Sequence, residues 1–288
     1  MKFIQSVAWL NEQLYTNDQM GKSLIIFDCR YDLMDEDVGE LAYRVGHIPG
    51  AYYAHLSHDL SSAAIPTGEG GRHPLPNPEL FATFLSERGV HPTSTIVAYD
   101  DQNGAMASRL RWLLQWVGHE GEIYIIEEGY KGWVDAGYEQ TATIPELVTD
   151  HVYEVKLQSH MVVDHTYVLS RLHNESTVII DSRDKARYRG EVEPIDKKAG
   201  HIPSALHYFW LENKDANGKW KDAEALKARF ESLSTEKEII VYCGSGVTAT
   251  PNVFALKEAG FNNVKLYAGS WSDWSSYENN PVAVRDEL

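Results

Sequence analysis

The chain has 288 residues, of which 43% are hydrophobic and 24% charged, and a formal net charge of −16. This is a soluble globular composition, long enough for two ordinary domains or one large one. The acidic balance disfavours a nucleic-acid or anionic-membrane surface, although it leaves room for a small anion held by a few local arginines.

The opening stretch MKFIQSVAWLNEQLYT lacks the long apolar core of a signal peptide and the arginine-rich character of a transit peptide. A helix is predicted to begin behind an N-cap at Ser6, with Val7, Leu10 and Leu14 on one face. Leu24–Phe27 is apolar on both faces, as buried parallel strands are. The turn RVGHIPGA at 44–51 follows, then the glycine-rich GEGGRHPLP at 68–76 and a second buried strand at Ile96–Tyr99. The stretch QTATIPELVTDHVYEVKLQS, 140–159, has no helical period and one proline, which predicts a surface linker. After it the order starts again. Asp164 caps a helix carrying Tyr167, Val168 and Leu172 on one face, and strands are predicted at Val178–Ile180 and Ile239–Tyr242. No apolar run approaches the roughly 20 residues of a membrane span.

The second half repeats the first. LIIFDCR (24–30) matches VIIDSR (178–183), RVGHIPGA matches KAGHIPSA (198–205), and TIVAYDDQNGAMAS (95–108) matches EIIVYCGSGVTATP (238–251). IYIIEEGYKGW (123–133) matches VKLYAGSWSDW (264–274). Like order in both halves predicts two α/β domains, 1–140 and 160–288, joined by the linker 141–159. Each is expected to hold a mainly parallel sheet with helices on both faces.

A duplicate serves as an internal control. Asp28, Arg30 and His47 match Asp181, Arg183 and His201, and their presence in both copies favours a structural role at strand ends and turns. Trp133, Trp271 and Trp274 read as packing residues. Asp100, by contrast, stands where the second copy has Cys243, and only a thiolate is a strong sulfur nucleophile. Behind Cys243 come Gly244, Ser245, Gly246, Val247 and Thr248, then a helix predicted over Ala249–Ala259 with Pro251 in its first turn. Two glycines let the backbone curl into an anion nest at a helix N-terminus, and both features favour an anionic sulfur. Cys29 has no such cradle and reads as a small buried residue. Two isolated thiols make no disulfide framework, which leads us to expect a cytoplasmic setting. His55 and His58 are too isolated to predict a metal site, and no cofactor is expected.

Taken together, the duplicated GHIP turn and a CGSGVT loop in the second copy alone resemble the two-domain rhodanese and mercaptopyruvate sulfurtransferase family over nearly the whole chain. The resemblance implies the rhodanese fold in both halves, with the first catalytically inactive. It also implies that Cys243 takes a sulfane sulfur from a donor as a persulfide and passes it to cyanide, a small thiol or thioredoxin. The uncharged loop is similar to that of enzymes using 3-mercaptopyruvate, the thiosulfate type carrying basic residues there. Arg187 matches the family position for the donor's carboxylate, with Arg189 close by. A second family arginine has no match: the aligned stretch is Pro194-Ile195-Asp196, with Lys197 and Lys198 after it, and no role is assigned to either lysine. Gly244, Gly246, Val247 and Thr248 are expected to bind substrate through the loop. The resemblance also brings His73 near the cysteine, and Ser245 is expected to relay a proton or bind the leaving group. No role is assigned to His55 or Asp59. A thiosulfate:cyanide sulfurtransferase is the alternative. A phosphatase on this fold would need an arginine closing the loop, where Thr248 and Ala249 stand. A non-catalytic sulfur-binding module is disfavoured by the intact cradle.

Overall fold

The computed structural model describes residues 1–20, 24–148 and 151–285, and side chains of 17–20 are not considered. The chain packs into two compact units: Lys2–Ser62 with Pro76–Gln158, and Met1 and Ala63–Leu75 with Ser159–Leu288. The glycine-rich loop, part of the first repeat by sequence, thus packs with the C-terminal unit.

The N-terminal unit runs β1 (Ile4–Gln5), α1 (Val7–Met20), β2 (Leu24–Asp28), α2 (Asp37–Val45), β3 (Ala51–Tyr53), α3 (Pro78–Ser86), β4 (Thr95–Tyr99), α4 (Ala105–Trp116), β5 (Ile123–Ile126) and α5 (Gly129–Asp135). Its sheet has the order β1-β5-β4-β2-β3, and every pairing is parallel. The C-terminal unit runs β6 (Val162–Val163), α6 (His165–Ser170), β7 (Thr177–Asp181), α7 (Lys185–Tyr188), β8 (Leu206–His207), α8 (Ala223–Arg229), β9 (Glu238–Tyr242), α9 (Thr250–Glu258), β10 (Val264–Tyr267) and α10 (Ser270–Trp274). Its order, β6-β10-β9-β7-β8, is the same, and again every pairing is parallel. Among the described residues no helix is long and apolar enough to cross a membrane.

The sequence signals act locally as expected. Ser6 Oγ accepts the Trp9 N–H at 3.1 Å, and Asp164 Oδ1 accepts that of Tyr167 at 2.8 Å. Helix α6 stops at Ser170, however, so Leu172 lies beyond it and packs on the core from a turn. Helix α9 begins at Thr250 and ends at Glu258, one residue inside the predicted range at each end. The predicted linker packs along the N-terminal unit: Val148 N–H donates to Glu87 O, Lys156 N–H donates to Val117 O, and Tyr153 is buried.

The shared acid, arginine and histidine brace each unit. Arg30 grips Asp28 with two nitrogens and donates to Gly46 O; Arg183 does the same to Asp181 and Gly200 O. His47 Nδ1 pairs with Tyr43 O, and His201 Nδ1 with Tyr188 O. The hydroxyls of Tyr99 and Tyr242 accept the N–H of Ile48 and Ile202, tying each central strand to its GHIP turn. Trp133, Trp271 and Trp274 are fully buried in the two cores.

This topology selects one place for a site. From β7 the chain moves outward to β8, whereas from β9 it moves the other way to β10. The carboxyl ends of β7 and β9 therefore flank the switch point, where open α/β sheets bind ligands.

Candidate active site

Cys243 is the first residue after β9, at that switch point, and is almost fully buried. Its N–H donates to Ser270 Oγ at 3.1 Å, and its Sγ accepts the Gly246 N–H at 3.2 Å. The start of α10 clasps the loop: Trp271 N–H donates to Cys243 O and Ser272 N–H to Gly244 O, both at 2.9 Å. Gly246 has φ +78°, and a side chain there would meet Ala268 O at 2.2 Å, so glycine is required twice over. Val247 is buried and its carbonyl caps Thr250, while Thr248 is half-buried on the same loop.

The first repeat shows what this loop is shaped to hold. Asp100 follows β4, and its carboxylate accepts the N–H groups of Gln102, Gly104, Met106 and Ala107 at 2.8–2.9 Å. The equivalents of Gln102 and Gly104 are Ser245 and Val247. Neither N–H has a protein acceptor among the described hydrogen bonds. One copy fills its nest with its own carboxylate, whereas in the other these two loop donors are left without an acceptor among the described residues.

Three side chains complete the surroundings. His73, buried on the 63–75 loop, places Nδ1 2.8 Å from Ser245 Oγ. The loop is anchored by Gly70 N–H to Asp273 Oδ1 at 2.8 Å and Arg72 N–H to Ser272 Oγ at 3.1 Å. It lies so close to α10 that a side chain on Gly71 would meet Gly269 O at 2.4 Å. Arg187 sits on α7, capped by Asp184, and is held by Glu193 at 2.8 Å and Asp196 at 2.9 Å. Arg72 pairs with the other oxygen of Asp196. Both guanidiniums border Gly244, where a β-carbon would lie 3.1 Å from Arg72 Nη2 and 3.3 Å from Arg187 Nη1.

The structure therefore brings together Cys243, Gly244, Ser245, Gly246, Val247, Thr248, His73 and Arg187. The two lysines that follow Asp196 are engaged elsewhere. Lys197 Nζ donates to Thr67 O, and Lys198 Nζ to the carbonyls of Tyr277 and Glu278. Arg189 faces Glu191 at 3.8 Å. Arg72 is the second cation at the loop, and sequence reading missed it because it lies about 170 positions from Cys243. Its one local signal was its place beside His73.

Cys29 is buried at the end of β2. Burial, then the carboxylates of Asp100, Asp28 and Asp59, push its thiol well above the usual range.

The rhodanese-like domain family matches residues 6–136 and 164–277. The chain is 39% identical to a protein of Pseudomonas aeruginosa named "Probable 3-mercaptopyruvate sulfurtransferase", covering 95% of this chain and 99% of that one. An Arabidopsis thaliana protein named "Thiosulfate/3-mercaptopyruvate sulfurtransferase 1, mitochondrial" is 28% identical, with 97% and 77% covered. Among solved structures, a 3-mercaptopyruvate sulfotransferase from Escherichia coli, SseA, superposes with a TM-score of 0.77 at 33% identity, covering 93% and 98%. The chain belongs to the two-domain rhodanese and 3-mercaptopyruvate sulfurtransferase family.

Proposed function

We propose that this protein moves sulfur from 3-mercaptopyruvate to a thiophilic acceptor through a persulfide on Cys243. The observation that carries the reading is the convergence on one loop of a buried thiol, N–H donors with no acceptor among the described residues, and the two guanidiniums of Arg72 and Arg187. The arginines and loop amides bind the donor's carboxylate and ketone. The Cys243 thiolate attacks the donor sulfur, the S–S bond forms, and the C–S electron pair leaves on carbon as the enolate of pyruvate. A proton converts that enolate to pyruvate, and in this reading the hydrogen-bonded Ser245–His73 pair supplies it. The acceptor then attacks the outer sulfur and releases the Cys243 thiolate.

In this reading 160–288 is the catalytic domain, 141–159 the linker, and 1–140 an inactive copy with Asp100 in the cysteine position. Cyanide, a small thiol or thioredoxin would accept the sulfur, in a cytoplasmic setting. Steady-state kinetics with 3-mercaptopyruvate and thiosulfate side by side test the donor assignment. A higher kcat/KM for 3-mercaptopyruvate is expected, and a preference for thiosulfate would reject it.

A further inference from the structure

The two arginines at the loop are held in a particular orientation by one acid. The Asp196 side chain is only 4% exposed. Its Oδ1 pairs with Arg72 Nη1 and its Oδ2 with Arg187 Nη2, the latter at 2.9 Å. Glu193 takes the rest of that edge of Arg187, through Nη2 at 2.8 Å and Nε at 3.3 Å. The amino groups left over, Arg72 Nη2 and Arg187 Nη1, have no acceptor among the described residues and lie at Gly244. One carboxylate thus turns both forks the same way. A pair of neighbouring N–H₂ groups suits a planar carboxylate, which takes one donor on each oxygen.

Charge follows the same geometry. The two arginines are matched by Asp196 and Glu193, and Arg183 beyond them is matched by Asp181. The clamp therefore offers directed donors without excess positive charge. A monoanion satisfies those donors, whereas a compact dianion brings a second charge with nothing to offset it and loses hydration on entry.

We propose that Asp196 is a positioning and donor-selecting residue: it aims Arg72 and Arg187 at the Cys243 loop as a two-armed carboxylate clamp and cancels the charge a dianionic donor would need. The proposal rests on the sulfurtransferase reading for its donors, but its binding test does not. The experiment uses full-length protein carrying Cys243→Ser, with pyruvate as the monoanionic probe and thiosulfate as the dianionic one, followed by calorimetry.

Adding Asp196→Asn should lower the pyruvate-to-thiosulfate affinity ratio about tenfold or more, and Asp196→Glu should recover part of it. Arg72→Ala, at a side chain 31% exposed, should weaken pyruvate about tenfold in the folded protein. In protein retaining Cys243, Asp196→Asn should move the kcat/KM ratio of 3-mercaptopyruvate to thiosulfate in the same direction, through KM more than kcat. A ratio unchanged within about twofold in folded Asp196→Asn overturns the proposal. Pyruvate binding untouched by Arg72→Ala also overturns it, even where Asp196→Asn fails to fold. Affinities that shift as expected in a protein that turns over neither donor would uphold the clamp and reject the donor reading.

Discussion

Asp100 and Cys243 each directly follow one of two equivalent strands, β4 and β9, and each accepts from the turn behind it, the carboxylate four N–H groups and the sulfur that of Gly246. In the first copy the carboxylate takes the N–H groups of Gln102, Gly104, Met106 and Ala107. In the second the sulfur takes the N–H of Gly246, and those of Ser245 and Val247 have no acceptor among the described residues. The duplicate is therefore a built-in reference for what the catalytic loop can bind.

Asp100→Ala should destabilise the N-terminal unit by about 3–5 kcal/mol, because several buried N–H groups lose their acceptor together. Equilibrium urea unfolding measures it. A loss below about 1 kcal/mol would mean that water or another group replaces the carboxylate. Sulfur transfer at Cys243 should continue while the protein stays folded.

Much of this arrangement was legible in the sequence, for stated reasons. The buried strands, the N-caps at Ser6 and Asp164 and the order of the repeat are set by neighbouring residues, so pattern alone found them. Cys243 and its glycines were found because the other copy lacks them. Arg72 and the role of Asp196 were not legible. They meet only because the 63–75 loop packs with the C-terminal unit, a long-range fact that spacing does not encode. Leu172 was misplaced on a helix because α6 ends early, at a turn with no glycine or proline to announce it.

The two thiols should differ sharply in reactivity. Burial and neighbouring carboxylates hold Cys29 protonated near neutral pH. Iodoacetamide on the folded protein should therefore label Cys243 first, and Cys29 only as fast as the protein unfolds. Peptide mapping after timed quenches reads both rates. Fast labelling at Cys29 would contradict its assignment as an inert core residue.

Arg187→Ala should lower kcat/KM for 3-mercaptopyruvate by an amount equivalent to about 2–5 kcal/mol, chiefly through KM. Part of that loss reflects Glu193 and Asp196 left with fewer partners, so Arg187→Lys should recover only a fraction. Unchanged kinetics in a folded variant would remove Arg187 from the donor site.

Stability should fall in alkali. Burial pushes the Tyr43 phenol up to about 12 and the phenols of Tyr99, Tyr242 and Tyr267 well above their usual range. Below about pH 10 both folded and unfolded chains keep these phenols protonated, and their contribution is intact. Above it the unfolded chain ionises first, and stability drains away as pH rises toward the folded values. Phenolate absorbance should show these four titrating only as the fold is lost. Smooth titration of all 16 tyrosines in a protein that stays folded would disprove this.

The most direct measurement is intact mass after incubation with 3-mercaptopyruvate and removal of small molecules. Wild-type protein and Cys29→Ser should each gain one sulfur atom, lost again on adding cyanide, while Cys243→Ser gains none. A Cys243→Ser protein that still acquires a cyanide-labile sulfur and still turns over would contradict the assignment of Cys243 as the residue that carries it.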